Sequence, residues 1–292
     1  GLLNAGAALA TAYGTGARIV ALVGQIPSAA IDKGHGLLHE IVDQPKVVEP
    51  ITRWRGRAWA PSDVSPLIAE AFHQAMSADP RPVMLEIPPD VLEARRSVEI
   101  TPPTAPKHPE PDEAALGHAA RLLAQATSPL IVVGGGALEA GTEVRRLAEA
   151  LGASVTGHRR GRGVIDERHP LFVPTGVAHA LWKDVDVVLA VGTRMRLPLD
   201  WGVDDRLRQV WINPDRRASA DAGPLDVVVA ARAEEALPQL LHRLPAHTRD
   251  RPDLDPLRLE YEERLGELQP QLDYVRALRA ALADDDIVVA DL

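Results

Sequence analysis

Strand-sized apolar runs alternate with helical stretches along this sequence, and that alternation limits the fold more than any other feature. After residue 111 the pattern predicts helices at 112–126, 141–151 and 177–183 and strands at 130–133, 154–156, 185–191 and 209–212. Before residue 88 it predicts helices at 4–13 and 64–76 and strands at 18–23 and 83–87. Such alternation is typical of doubly wound, mostly parallel sheets. We therefore expect an α/β protein with two doubly wound, Rossmann-like domains.

Two proline-containing stretches predict the domain boundaries. Residues 88–111 contain seven prolines, which interrupt helices and central strands alike. Prolines also surround the helical pattern of residues 257–268. The predicted organisation is a first domain at 1–87, a linker at 88–111, a second domain at 112–245, a linker at 246–273 and the start of a third domain at 274–292. We expect residues 112–245 to fold independently.

Composition and charge exclude several classes of protein. The chain has 41 acidic and 32 basic residues, and the resulting charge of −9 argues against a protein that binds nucleic acid phosphates. The lack of cysteine excludes a disulfide scaffold, a thiolate metal site and a cysteine nucleophile. No uncharged run reaches the roughly 18 residues that a membrane helix needs. We therefore expect a cytoplasmic protein that binds neither nucleic acid nor membranes.

Both ends of the sequence predict a piece of a longer protein. Gly1 opens a stretch that already has a helical pattern, and no signal peptide precedes it. Residues 287–292 have the pattern of a short buried strand that ends near Asp291, and functional loops in α/β proteins follow such strands. We expect the first domain to be truncated at its N-terminus.

The glycine turn Gly134-Gly135-Gly136 has two interpretations. It follows a predicted strand, and the backbone N–H groups of such a turn can approach a pyrophosphate. However, the spacing is not G-x-G-x-x-G, because position 139 is Glu. A tight turn between a strand and a helix explains the same residues, and both interpretations stay open.

His35 and His39 are four residues apart, and Glu40 follows the second histidine. On a helix the two imidazoles would share one face, which suggests a zinc site. The order differs from H-E-x-x-H, Gly34 and Gly36 weaken a helix, and no third ligand is evident. A surface or interface loop and an active-site loop are the alternatives.

Collinear motifs extend through both segments. The first segment contains Asn4-Ala-Gly-Ala-Ala-Leu, Val20-Ala-Leu-Val-Gly24-Gln25-Ile-Pro27, Leu38-His39-Glu40, Arg81-Pro82-Val83 and Glu86-Ile-Pro88-Pro-Asp90-Val91. The second contains Pro129-Leu-Ile-Val-Val-Gly134-Gly-Gly136-Ala, Leu147-Ala-Glu-Ala-Leu-Gly152-Ala, Arg162-Gly163-Val164-Ile165, His169-Pro170-Leu171 and Asp186-Val-Val-Leu-Ala-Val-Gly192-Thr-Arg194-Met. In order and spacing they resemble thiamine diphosphate-dependent enzymes of the acetolactate synthase type. Residues 1–87 resemble part of the pyrimidine-binding domain, 112–245 the central domain, and 274–292 the start of the diphosphate-binding domain.

The resemblance implies an activity, cofactors and partners for the complete protein. The activity is decarboxylation of a 2-oxo acid, followed by transfer or protonation of the resulting carbanion. The cofactors are thiamine diphosphate and Mg²⁺, and the catalytic glutamate and the Gly-Asp-Gly…Asn metal motif of the family do not occur in this sequence. The partners are a small 2-oxo acid or acyl substrate and further copies in a homodimer or homotetramer. We expect this fragment alone to be inactive.

The resemblance also assigns site residues. Gly1, Asn4, Gly24 and Gln25 fall on the cleft that holds the aminopyrimidine, and His39 stands where acetolactate synthases usually carry Gln in a Phe-Gln-Glu run. The change at His39 makes a substrate other than pyruvate plausible.

In the central domain the resemblance suggests FAD, which acetolactate synthases bind in a structural role. The corresponding positions here are Gly135, Gly136, Arg194 and Asp215. The expected Gly-Met-His-Gly-Thr loop is replaced by Leu171-Phe-Val-Pro-Thr175, which lacks the glycines that let backbone approach a flavin. A decarboxylase or lyase without flavin, and a non-catalytic two-domain scaffold, are therefore alternatives.

Overall fold

The computed structural model describes residues 1–106, 108–215, 218, 222–245 and 252–289. These residues form two compact units, of which unit 1 ends at Pro109 and unit 2 begins at Glu110. Each unit contains one parallel sheet with helices on both faces.

The described residues of unit 1 form three strands and four α-helices. The strands are β1 Val20–Gly24, β2 Trp54–Arg57 and β3 Val83–Ile87. The helices are α1 Leu2–Thr15, α2 Gln44–Val47, α3 Pro61–Ala75 and α4 Pro89–Glu93. Pro89 begins a helix within the predicted linker, because proline fits the first turn of a helix.

The sheet of unit 1 has the order β1-β3-β2, and all of its pairs are parallel. The central strand β3 is buried along its whole length. Leu2 and Leu9 of α1 pack with Met84 on one face, whereas Ala71 and Ala75 of α3 pack with Val83 on the other. The carboxyl ends of the three strands therefore meet at one edge of a covered sheet.

The described residues of unit 2 form five strands and seven α-helices. The strands are β4 Pro129–Val133, β5 Ser154–Gly157, β6 Val187–Val191, β7 Arg208–Ile212 and β8 Val227–Val229. The helices are α5 Glu113–Gln125, α6 Gly141–Leu151, α7 Thr175–Leu181, α8 Arg196–Asp200, α9 Ala233–Arg243, α10 Asp255–Gly266 and α11 Gln271–Ala281.

The sheet of unit 2 is parallel throughout, in the order β5-β4-β6-β7-β8. Alternate residues of each strand face the two sides, so that Ile131 joins the cluster with α5, α6 and α9 and Leu130 joins the cluster with α7. The predicted fold class, with two parallel-sheet α/β domains, is confirmed.

The sequence pattern missed or misplaced several elements. Strand β2, strand β8 and helix α9 were not predicted, and β6 begins at Val187 rather than at residue 185 because residues 182–184 form a helical turn. Residues 287–289, predicted as part of a buried strand, are exposed and form none. Residues 290–292, including Asp291, lie outside the described residues.

Helix α10 packs onto unit 2, although its sequence was predicted as part of a linker. Leu254 is buried in the cluster beneath α7, and Tyr261 packs against the same cluster. A Cβ atom on Gly176 of α7 would lie 2.5 Å from Cε2 of Tyr261, so the glycine makes room for the ring. Arg258 donates to the carbonyls of Pro170 and Phe172, at 2.6 and 3.0 Å.

No helix in the part of the chain that the structure describes combines the length and the hydropathy of a membrane span.

Candidate functional site

A buried carboxylate lies at the carboxyl edge of the unit 1 sheet. Glu86 of β3 is 0% exposed. The Arg57 Nη2 atom, at the end of β2, donates to Glu86 Oε2 at 3.3 Å, and the Gln25 Nε2 atom, just after β1, donates to Glu86 Oε1. Arg57 Nε is 3.2 Å from Oε1 and forms an ion pair without hydrogen-bond geometry. One carboxylate thus joins the ends of all three strands.

Arg57 extends this network toward the loop that follows β1. Its Nη1 atom lies 3.8 Å from Asp32 Oδ2, and its guanidinium lies 5.0 Å from the ring centroid of Trp59. A buried carboxylate requires a charged partner and hydrogen bonds, because its removal from water is otherwise costly. The guanidinium supplies both to Glu86.

The side-chain amide of Gln25 is engaged at both ends. Its nitrogen binds Glu86, and its oxygen accepts a hydrogen bond from the Ile26 N–H at 2.8 Å. Gln44, which is buried, donates from Nε2 to the carbonyl of Gly24 at 2.9 Å. Residues 25–43 therefore form a loop, the β1 loop, that is tied to the sheet at both of its ends. The predicted role of Gln25 in a cofactor cleft stays a prediction.

His39 lies in the β1 loop and is exposed, with a φ of +69°. The turn around it is held by Glu40, whose carboxylate accepts hydrogen bonds from the N–H groups of Leu37 at 2.8 Å and His35 at 3.2 Å. The Leu37 hydrogen bond, with a smaller contribution from His35, lowers the pKa of the Glu40 carboxyl. Leu38, beside His39, is 83% exposed.

The structure gives the zinc interpretation of His35 and His39 no support. The two histidines lie outside any helix, and Gly34, just before His35, and Gly36, between the two histidines, both have positive φ angles. Within the described residues, no group of three or more His, Cys, Asp or Glu side chains could hold a metal ion.

Gly1, Asn4 and Gly24 belong to elements at the same edge of unit 1. Gly1 caps the N-terminus of α1 and Asn4 lies in its first turns, while Gly24 ends β1. Because α1 returns to β1 through residues 16–19, its N-terminus lies at the carboxyl end of the strand. A Cβ atom on Gly1 or Gly24 would meet nothing within 4 Å, so backbone there is open to a ligand. Their assignment to the thiamine diphosphate cleft stays a prediction.

The glycine turn of unit 2 packs against a neighbouring loop. The N–H groups of Gly134 and Gly136 donate to the carbonyls of Val191 and Gly192, both at 3.0 Å. A Cβ on Gly134 would lie 2.4 Å from the Gly192 carbonyl oxygen, and one on Gly136 would lie 2.8 Å from Gly192 Cα. The glycines are therefore required by close approach of two backbone segments.

The other residues predicted to bind FAD lie on adjacent loops of this edge. Arg194 follows β6 and Asp215 follows β7, and their side chains are 4.0 Å apart at Nη2 and Oδ2. Asn213 joins the two loops, because its Nδ2 donates to the Thr193 carbonyl at 3.1 Å and its Oδ1 accepts from the Asp215 N–H at 3.0 Å. A Cβ on Gly135 would lie 3.3 Å from Cβ of Arg160. The four predicted positions are thus brought to one edge of the sheet.

Two observations at this edge bear on the FAD interpretation, which stays a prediction. The space beside Gly134, Gly135 and Gly136 is filled by protein atoms rather than open. The divergent 171–175 segment runs along β5, where the Val155 N–H donates to the Leu171 carbonyl and Val155 accepts from the Val173 N–H, both at 2.8 Å. Side chains of residues 171–173 are buried in the two clusters of unit 2.

Sequence reasoning missed the Glu86 network. The one signal was a glutamate within the otherwise apolar strand Val83–Ile87, which is the pattern of a buried polar residue. Nothing in the sequence paired it with Arg57, 29 residues earlier, or with Gln25, 61 residues earlier.

The fold and its carboxyl-edge loops define a protein built from two Rossmann-like α/β domains. Residues 116–240 match the family described as "Thiamine pyrophosphate enzyme, central domain". Two curated proteins and one solved structure extend the similarity beyond this domain.

The chain is 35% identical over 264 residues to the Pseudomonas aeruginosa protein named "Probable 2-ketoarginine decarboxylase AruI". The aligned region covers 86% of this chain and 46% of that protein. The chain is also 34% identical over 215 residues to an acetolactate synthase of Arthrospira platensis. This aligned region covers 66% of the chain and 36% of the synthase. The chain thus spans about half or less of the length of these curated relatives.

The structure superposes on benzoylformate decarboxylase from Polynucleobacter necessarius with a TM-score of 0.73 and 19% identity, over 87% of this chain and 49% of the other. At that identity the likeness shows the fold alone. Together the comparisons show that the chain belongs to the thiamine pyrophosphate enzymes, and the resemblance to the acetolactate synthase type is confirmed.

Proposed function

We propose that this chain is part of a thiamine diphosphate-dependent enzyme that removes carbon dioxide from a 2-oxo acid and then protonates the resulting carbanion. One observation carries the choice of a decarboxylase over a synthase. Similarity to the protein named as a 2-ketoarginine decarboxylase extends over 86% of the chain, whereas similarity to the acetolactate synthase covers 66%.

When bound, thiamine diphosphate supplies the nucleophilic carbon and the electron sink for loss of carbon dioxide. In this proposal Gly1, Asn4, Gly24 and Gln25 border the aminopyrimidine. Open backbone at Gly1 and Gly24 supports their part in it, because nothing occupies the space where their side chains would be. We assign no described residue to Mg²⁺.

His39 is proposed to hold and deliver the proton that ends the reaction. An imidazole can both accept and release a proton, whereas the side-chain amide of the glutamine usual in acetolactate synthases cannot. The exposure of His39, and the fixing of its turn by Glu40, support this role because the ring is available to a substrate from an ordered backbone. The exposed Leu38 would lie beside the same substrate.

We propose that the central domain acts without flavin. Two observations support this proposal. Protein atoms fill the space beside Gly134, Gly135 and Gly136, and the 171–175 segment is hydrogen-bonded along β5. The substrate is proposed to be a small 2-oxo acid, and the working assembly a homodimer or homotetramer.

Addition of the carbanion to the carbonyl carbon of a second substrate molecule is the second candidate, because an acetolactate synthase is 34% identical over 215 residues.

The test uses the complete enzyme that contains this chain, supplied with thiamine diphosphate, Mg²⁺ and a panel of 2-oxo acids. We expect carbon dioxide and an aldehyde as products, with no carboligation product. The His39→Gln variant should lower kcat about 10- to 100-fold while leaving cofactor affinity unchanged. His35→Gln, in the same exposed loop, is the matched control and should retain kcat. A carboligated product would favour transferase activity, and an unchanged kcat for His39→Gln would remove His39 from the reaction.

A further inference from the structure

We propose that Glu86 is a positioning residue, which together with Arg57 holds the β1 loop, and thereby His39, in the geometry that proton delivery needs. The catalytic part of this inference rests on the proposed function. The structural part, control of the loop by a buried charge, stands on the geometry of unit 1 alone.

The surroundings of Glu86 make its carboxylate unnecessary for core packing. Its neighbours along β3, Leu85 and Ile87, are buried apolar residues, and Glu86 itself is 0% exposed. A buried ion pair can often be replaced by apolar residues without loss of stability, since its desolvation cost offsets its attraction. Core packing alone therefore does not account for a glutamate at this position.

The partners of Glu86 all lead to the β1 loop. Gln25 begins the loop, and its amide is fixed between Glu86 and the Ile26 N–H. Arg57 links Glu86 to Asp32 farther along the loop. Each contact limits where the loop backbone can lie, because the carboxylate holds groups from both neighbouring strands.

A second carboxylate near the end of β3 holds the same loop. Asp90 accepts hydrogen bonds from the Ser28 N–H at 2.8 Å and from the Ser28 hydroxyl at 2.5 Å. Glu86 and Asp90 thus secure two successive points of the β1 loop, at Gln25 and at Ser28. The loop needs such support, since Asp32, His39 and Asp43 all have positive φ angles.

Order in this loop matters for catalysis because proton transfer depends on distance and direction. A displacement of about 1 Å in a catalytic group can lower the rate about 100-fold. In the proposed reaction His39 delivers its proton from an exposed turn of the β1 loop. The position of its imidazole therefore depends on how firmly the loop is held at Gln25, Ser28 and Asp32.

The decisive variant replaces the pair by apolar residues, as Glu86→Leu with Arg57→Leu. In the 292-residue chain we expect an unchanged melting temperature and faster amide exchange for residues 25–43, by about tenfold or more. The matched control is Asp79→Asn, because Asp79 is a buried carboxylate paired with Arg81 at the amino edge of the same sheet. The control should leave exchange in the β1 loop unchanged.

In the complete enzyme, the double variant should lower kcat about 10- to 100-fold with little change in KM. If the double variant does not fold, Glu86→Gln decides, and it should speed exchange in the loop to a smaller extent. Unchanged exchange in the folded variant, or equal exchange with the Asp79→Asn control, would overturn the inference. A wild-type enzyme that releases no carbon dioxide would instead reject the proposed function, while the exchange data still decide whether Glu86 orders the loop.

Discussion

Replacing Gly192 by alanine tests the loop packing at the carboxyl edge of unit 2. A Cβ atom there would lie 2.4 Å from the carbonyl carbon of Gly136 and 2.7 Å from the Ala137 nitrogen. Both contacts are to backbone, so relief requires the two loops to separate. Gly192 also has a φ of +57°, which is unfavourable for alanine.

The expected loss in the free energy of unfolding is the sum of three contributions. The left-handed backbone costs alanine about 1–2 kcal/mol. Overpacking adds about 1–3 kcal/mol. Alanine also makes the unfolded chain less flexible than glycine does, which stabilises the folded state by about 0.4–1 kcal/mol and offsets part of the loss. We therefore expect the free energy of unfolding to fall by about 1–5 kcal/mol, with the middle of that range near 3 kcal/mol.

Gly163→Ala is the matched control within unit 2. Gly163 has a φ of +82°, but a Cβ atom there would meet nothing within 4 Å. Only the backbone cost should remain, so that the free energy of unfolding falls by about 1.5 kcal/mol or less. Urea titrations followed by tryptophan fluorescence would measure both variants, with the buried Trp211 as a reporter of unit 2. Equal losses in the two variants would refute the packing argument.

Two further outcomes test the β1 loop and the cofactor. The lowered pKa of Glu40 implies that its hydrogen bonds to the Leu37 and His35 N–H groups are complete above the ordinary glutamate pKa and are lost as the pH falls through the lowered one. The NMR chemical shift of the Leu37 amide proton should therefore change with pH as Glu40 titrates, and this pH dependence should be absent in the Glu40→Gln variant. A titration midpoint at or above the ordinary glutamate pKa would contradict the geometry. Thiamine diphosphate with Mg²⁺ should bind the 292-residue chain negligibly, because its described residues contain no group able to hold the metal; micromolar, magnesium-dependent binding in titration calorimetry would show otherwise.

The sequence predicted those parts of the fold that depend on local pattern. Apolar strands such as Val83–Ile87 and amphipathic helices such as Gly141–Leu151 appear where the pattern placed them. Strand β2 escaped prediction because Trp54-Arg-Gly-Arg57 carries two arginines, one of which is neutralised by a distant glutamate. Strand β8 has three residues and is too short for a periodic signal.

For the candidate site, the sequence could name residues but not their contacts. Gly134 and Gly136 stood out, yet the reason for them is a close approach to Gly192, which lies more than 50 residues later in the chain. Gln25 was predicted to line a cofactor cleft, which stays a prediction, but the hydrogen bond from its amide to Glu86 was not predicted. Such contacts depend on which strands become neighbours, and a single sequence does not contain that order in any local pattern.

The packing of α10 limits where related enzymes can be recombined with this chain. In a chimera joined at residue 245, the sheet of unit 2 would come from one parent, whereas the residues at positions 254 and 261, which are Leu254 and Tyr261 here, would come from the other parent. The apolar surface under α7 would then meet side chains of the wrong shape, and the carbonyls of Pro170 and Phe172 would lose Arg258. Crossovers placed after Gly266 keep these contacts within one parent and should give more soluble hybrids.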